Sequence, residues 1–106
     1  MNHTVEVAPF TIKPNITMAE LIEKANYIQE SFIAKQPGFI CRNLTKKSDN
    51  EYADILIWQS NEQAQAASKL AMQSPICTQY FELMLMDETT TLGFEHLEII
   101  KSWGNQ

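Results

Sequence analysis

A chain of 106 residues that is 44% hydrophobic and 20% charged has the make-up of one soluble globular domain with enough apolar surface for a core. Its 8 basic residues, of which Arg42 alone is an arginine, face 13 acidic ones for a net charge of -5, so no nucleic-acid partner is expected. Three scattered glycines exclude a glycine-rich phosphate loop, and no stretch is apolar and long enough to span a membrane.

The sequence opens on MNHTVEVAPF, which has neither the basic start nor the apolar run of a signal peptide, so a cytoplasmic location is expected. Cys41 and Cys77 lie far apart without a CxxC, and His3 and His96 stand at opposite ends, so no metal site is expected. Both cysteines sit in apolar surroundings and read as small core residues. Without a linker or a low-complexity run, residues 1–106 read as a single domain.

The first predicted strand runs from about His3 to Lys13. Val5 and Val7 alternate with Thr4, Glu6 and Ala8, while Phe10 and Ile12 fall on the other parity. Pro9 sits at the switch and suggests a bulge. After Pro14-Asn15, Thr17 and Glu20 form a capping box and Ile16 and Leu21 a hydrophobic staple. Met18, Leu21, Ile22, Ala25, Ile28 and Phe32 then recur at steps of three and four, the stripe of an amphipathic helix that Pro37-Gly38 ends. Phe39 to Lys46 and Tyr52 to Trp58 read as strands joined by the polar turn at 47–51. In the second of them Tyr52, Asp54, Leu56 and Trp58 share one face, and Ala53, Ile55 and Ile57 the other.

Ser60 and Gln63 make a second capping pattern before an alanine-rich helix. Ser74-Pro75 restarts the helix, so this region is expected to be two segments with a bend between them. The final strand is expected from about Leu92 to Ser102, with Phe94, His96, Glu98 and Ile100 on one parity and Leu97 and Ile99 on the other.

This order is βαββαβ, an α+β ferredoxin-like arrangement with a four-stranded antiparallel sheet and helices on one face. Strands one, three and four carry apolar residues on both parities, so the bare face needs a cover. A second copy of the same sheet is the cheapest one, and a homodimer is expected.

Three runs carry a family resemblance: Pro37-Gly38-Phe39, then Tyr52 through Ser60 (YADILIWQS), then Glu62-Gln63-Ala64 with Ala67 beyond. With them the chain resembles the dimeric α+β-barrel superfamily, and within it the antibiotic-biosynthesis-monooxygenase-like domains, over residues 3 to 103. The resemblance implies sheets pairing into a dimeric barrel and a ligand cavity between sheet and helices in each protomer. It implies cofactor-free oxygenation of aromatic molecules as one activity among several in the superfamily, which also includes haem-degrading enzymes and lactone isomerases. The haem-degrading relatives combine a tryptophan, matched here by Trp58, with a histidine on the following helix. Ala67 and Ser68 occupy that place, which argues against haem held in that mode, and no cofactor is expected.

The candidate site residues are few. His96 is the one histidine within the body of the fold and reads as a general base or as a packed core histidine; pairing of the last strand with the first is expected to set it near Phe10. Asp54, mid-strand, reads either as the partner of Arg42 across the hairpin or as a carboxylate turned to the cavity, where it orients His96 or a ligand. Trp58 reads as a core wedge or a ligand wall. Tyr27, Phe10 and Phe94 are expected to border the cavity, with Tyr52, Tyr80 and Asn43 as further polar groups and Met72, Met84 and Met86 packed loosely around the second helical region. No nucleophile motif is present. Two functions follow: a cofactor-independent monooxygenase-like enzyme for a small hydrophobic or aromatic metabolite, with His96 as base, or a non-catalytic dimeric module that binds small molecules or serves a stress response. Haem held by a different ligand is a third and weaker option.

Overall fold

The computed structural model describes residues 2–86 and 93–104. Strand β1 (Thr4–Thr11) leads to helix α1 (Met18–Ser31), then through a 3-10 turn (Ile33–Lys35) to β2 (Phe39–Lys46) and β3 (Glu51–Trp58). Helices α2 (Asn61–Gln73) and α3 (Pro75–Phe81) follow, and β4 (Glu95–Glu98) closes a four-stranded antiparallel sheet of order β2-β3-β1-β4. The ferredoxin-like α+β arrangement is therefore present, with the helices covering one face of the sheet.

The local signals act as their chemistry dictates. Thr17 accepts from the Glu20 amide while the Glu20 carboxylate accepts from the Thr17 amide, so α1 starts on a complete capping box. Ser60 caps α2 by accepting from the Gln63 amide, but the Gln63 side chain accepts from the Ser60 hydroxyl instead of closing the box. Ser74 caps α3 with Pro75 in its first turn, and the helical region bends there. Leu21, Ala25 and Ile28 turn into the core, whereas Met18 and Ile22, on the border of the same stripe, remain exposed.

Strand β1 differs from its expected form. It pairs with β3 without interruption from Thr4 opposite Trp58 to Thr11 opposite Glu51, so Pro9 makes no bulge. The Ile12 amide bonds to Asn50 on the β3 side and the Lys13 amide to Leu83 on the other, so odd-numbered amides of β1 point away from β3. The Pro9 nitrogen thus points to the β4 side, beyond Val7 where pairing with β4 ends, and no ladder bond is lost. Without a bulge, Thr4, Glu6, Ala8, Phe10 and Ile12 all face the helices and are buried, while Val5 and Val7 lie on the open face. The one irregularity lies in β2, between Phe39 and Cys41.

Strand β4 is shorter than expected at four residues, with Phe94 before it and Ile99 and Ile100 after it; Leu92, the expected start, lies outside the described residues. The core joins Phe10, Leu21, Ile28, Tyr52, Leu56, Trp58 and Tyr80 with the alanines of α2. Ala64 and Ala67 are 0% and 5% exposed, which brings α2 close over the sheet.

Candidate active site

The face of the sheet under the helices carries two buried polar clusters. The first centres on Glu6, midway along β1. His96, on β4, lies opposite Glu6 in the strand register. Its Nε2 is 3.1 Å from Glu6 Oε1, with both side chains about nine-tenths buried. Trp58 Nε1 donates to the same oxygen at 3.2 Å, and Ser68 Oγ, on α2, donates to it at 3.4 Å. Among the described residues every hydrogen bond to this carboxylate ends on Oε1 and none on Oε2. Burial raises the Glu6 pKa above the ordinary carboxylate value, and the bonds from His96, Trp58 and Ser68 offset only part of that rise.

Ser68, His96 and Glu6 do not form a hydrolytic triad. Ser68 and Glu6 both meet the same ring nitrogen, His96 Nε2, so the ring cannot bridge acid to nucleophile. Ser68 Oγ is in addition tied to the Ala64 carbonyl within its own helix.

The second cluster is set by Asp54, which stands opposite Ala8 in the register, two residues from the Glu6–Leu56 pair and thus about 6.5 Å along the strands. Arg42 Nε donates to Asp54 Oδ1 at 2.8 Å, and Tyr80 donates its hydroxyl to Asp54 Oδ2 at 2.8 Å. Arg42 Nη1 donates to the Ala25 carbonyl and to Gln29 on α1. Its guanidinium also lies 5.5 Å from the centre of the Tyr80 ring. The pair is buried, with side-chain exposures of 8% and 9%. Burial lowers the Arg42 pKa, but the Asp54 charge and hydrogen bond more than reverse this, so the guanidinium stays charged. Burial and the Asp54 charge both raise the Tyr80 pKa, so its phenol stays protonated as a donor.

Between the clusters lies a cavity of about 60 Å³, walled mainly by apolar groups, with Phe10, Phe94, Trp58, Leu56 and Met84 among them and Glu6, Ser68, Asp54, Arg42 and Tyr80 as its polar groups. Cys77 also lines it, and burial raises its thiol pKa. That volume holds a few waters, so a ring-sized ligand enters only if the apolar walls give way. Outside, an open cleft of about 510 Å³ lies over the start of α2, lined by polar groups including Thr4, Ser60, Glu62, Glu98 and His96.

Several sequence-based expectations change with these positions. His96 lies beside Glu6 and not beside Phe10, because β4 pairs only with Thr4 to Val7. Phe10 packs instead between the rings of Tyr52 and Tyr80. Asp54 does not orient His96; Arg42 and Tyr80 take both of its oxygens. Tyr27 is 41% exposed and is absent from the cavity walls, since its position on α1 falls outside the buried stripe. Met84 reaches the cavity, whereas Met72 and Met86 are exposed. Trp58, Phe10, Phe94, Arg42 and Asp54 do share the cavity. Glu6 and Ser68 were not among the expected site residues. The signal for Glu6 was parity: a carboxylate mid-strand in step with Ala8, Phe10 and Ile12 belongs to the buried face of an unbroken strand.

No protein-family model and no curated protein matches the chain, but solved structures do. The cofactor-independent oxygenase SnoaB from Streptomyces nogalater is 22% identical, with 98% of this chain and 97% of that one covered at a TM-score of 0.68. A candidate antibiotic biosynthesis monooxygenase from Bordetella bronchiseptica is 11% identical and matches at a TM-score of 0.70, over 95% of this chain and 100% of that one. Another from Nitrosomonas europaea, 11% identical, matches at 0.68 over 97% and 95%. The chain thus has the fold of the antibiotic-biosynthesis-monooxygenase-like domains.

Proposed function

We propose that this protein is a cofactor-independent, monooxygenase-like enzyme for a small, flat, hydrophobic or aromatic metabolite. The observation that carries this reading is the placement of two buried carboxylates, Glu6 and Asp54, on one apolar cavity. Charged groups in a small core cost stability, and a fold that keeps them without a structural need spends that stability on function. The fold shared with SnoaB supports the reading.

The two clusters suit different tasks. Glu6 has an oxygen without a partner among the described residues and a pKa raised by burial, which makes it a stronger base than an ordinary carboxylate. It takes over the role expected of His96. Arg42, held charged by Asp54 and with its buried Nη2 lacking a partner among the described residues, suits a substrate oxygen that gains negative charge as the proton leaves. A methylene activated by its own aromatic system loses a proton to Glu6, and the carbanion reduces dioxygen. One oxygen atom ends on carbon as a carbonyl, and the other leaves as water with the two methylene hydrogens. Phe10, Phe94 and Trp58 keep the reacting centre dry.

The working unit in this reading is a homodimer joined through the open face of the sheet. A cytoplasmic location accords with the free thiols of Cys41 and Cys77. Among the described residues no helix is long and apolar enough to cross a membrane.

The cavity volume favours a second reading. About 60 Å³ is well short of the roughly 300 Å³ at the lower end of ligand pockets, as expected of a binding module whose interior is filled by side chains. Oxygen uptake with a panel of anthrone-like and hydroquinone-like aromatics, without added flavin or metal, decides between the two. The enzyme reading expects uptake in proportion to substrate consumed and a rising pH limb above the ordinary carboxylate range. It also expects at least about a hundredfold loss in Glu6→Gln with ligand binding kept. Aromatics that bind without any uptake would leave the binding module as the function.

A further inference from the structure

Glu6 and His96 touch each other but border different spaces. Glu6 lines the inner cavity and is absent from the outer cleft. His96 lines the outer cleft and is absent from the inner cavity. The 3.1 Å contact between Glu6 Oε1 and His96 Nε2 is therefore a polar bridge between the two spaces. The carboxylate is two-sided in the same sense: Oε1 gathers the protein's donors, and Oε2 has none among the described residues.

An apolar ligand that fills the inner cavity displaces its few waters, so a proton taken up by Glu6 needs another way out before the next turnover. We infer that His96 is a proton relay, carrying protons from Glu6 in the inner cavity to water in the outer cleft. In the first step the protonated carboxyl group turns about its Cγ–Cδ bond and exchanges its two oxygens, so that the O–H that faced the cavity faces His96 Nε2. That O–H bond then breaks as the Nε2–H bond forms, which leaves Glu6 a carboxylate and His96 an imidazolium. Finally the Nδ1–H bond breaks to a water of the cleft, and the neutral ring with its proton on Nε2 returns through a tautomer change to the form that accepts again. No electrons are exchanged, and one proton enters and one leaves.

The surroundings suit this transfer. On the inner side the Trp58 indole N–H donates to the Glu6 oxygen beside His96, which favours the carboxylate left after the transfer. On the outer side Glu62 at the start of α2 and Glu98 on β4 line the cleft beside His96. Among the described residues no lysine or arginine lines that cleft. The enzyme reading supplies the source of the proton, but the relay itself is a property of the pair and is measurable without substrate.

The test is the relaxation of the Glu6 carboxyl infrared band after a pH jump in the full chain, the band being the one lost in Glu6→Gln. His96→Gln keeps an amide donor near Glu6 but cannot relay. It is expected to slow relaxation at least tenfold, with circular dichroism unchanged. His96→Ala is expected to be slow as well, and imidazole, which the open cleft admits, restores its rate. Relaxation in His96→Gln as fast as in the wild type overturns the relay, as does a folded His96→Ala that imidazole leaves slow. Oxygen uptake run in parallel separates the two readings. Fast, His96-dependent relaxation without uptake leaves the relay standing and removes the oxygenase. Uptake together with relaxation indifferent to His96 does the reverse.

Discussion

Arg42 and Asp54 carry the largest local stake in this fold. The pair is some nine-tenths buried at 2.8 Å, and Tyr80, Gln29 and the Ala25 carbonyl occupy further positions around it. A cross-strand ion pair on the surface is worth little, but removing one partner of a buried pair leaves an uncompensated charge. Arg42→Met is expected to cost about 3–5 kcal/mol in urea unfolding, because Asp54 then has only Tyr80 to answer it. The double change Arg42→Met with Asp54→Leu is expected to recover most of that loss, since both charges are gone. A single change costing under about 1 kcal/mol would mean that the pair behaves as an exposed one. The pairing of these two residues was legible from the hairpin, since any turn near Asp49 brings them to neighbouring strands. Their burial was not, because nothing in the spacing tells which face of a sheet with two apolar faces the helices cover. Glu6 escaped for the same reason. Val5 and Val7 looked like core, and a bulge at Pro9 was the device that aligned them with Phe10. The actual strand is regular, and its valines belong to the open face.

At the level of elements the family-like motifs have plain structural work. In the run from the end of β3 into α2, Trp58 reaches Glu6, Ser60 caps α2, and Ala64 lies at 0% exposure on the buried side of the helix. Ahead of β2, Gly38 holds φ at +87°, a conformation that side chains rarely adopt, and its carbonyl accepts from the Gln59 amide at 2.8 Å. A Cβ there would collide with the Gln63 side chain on the first turn of α2. Gly38 therefore docks the start of β2 against the β3–α2 junction that carries Trp58. Gly38→Ala is expected to destabilise the protein by about 2 kcal/mol or more. Shortening the obstacle in Gly38→Ala with Gln63→Ala should return only part of that, because the backbone strain persists. A Gly38→Ala protein within about 0.5 kcal/mol of the wild type would show that the junction bends freely. Capping boxes, the Pro37-Gly38 stop and the Ser74-Pro75 restart were all legible because each is a local arrangement of backbone donors and acceptors. The length of β4 was not, since alternation of Phe94, Leu97 and Ile99 continues past the residues that find a partner in β1.

The whole molecule presents one face of its sheet to helices and leaves the other open. On the open side β1 offers Val5 and Val7, β3 offers Ala53, Ile55 and Ile57, and β4 offers Leu97, which the register sets opposite Val5. Leu97 is 46% exposed and the others, in the single chain, are half-buried. Helices cannot reach this surface, because both crossovers of the chain pass on the other side. A patch formed by three adjacent strands is of the kind that pairs with itself about a two-fold axis, each strand's apolar row meeting its own copy. In the homodimer proposed above, a second sheet would lie behind the backbone of β1 that holds Val5 and Val7 outward and Glu6 inward, and would stiffen the proposed base. Sedimentation at micromolar concentration is accordingly expected to give twice the mass of one chain. Ile57→Lys and Val7→Lys, which place an unpaired charge in the middle of the patch, are each expected to give single chains with unchanged circular dichroism, because both positions retain a route to water when the chain is alone. The same exchange at an exposed helix residue such as Gln65→Lys should leave the mass doubled. A wild type that sediments as one chain, or lysine variants that remain paired, would move the interface away from the sheet.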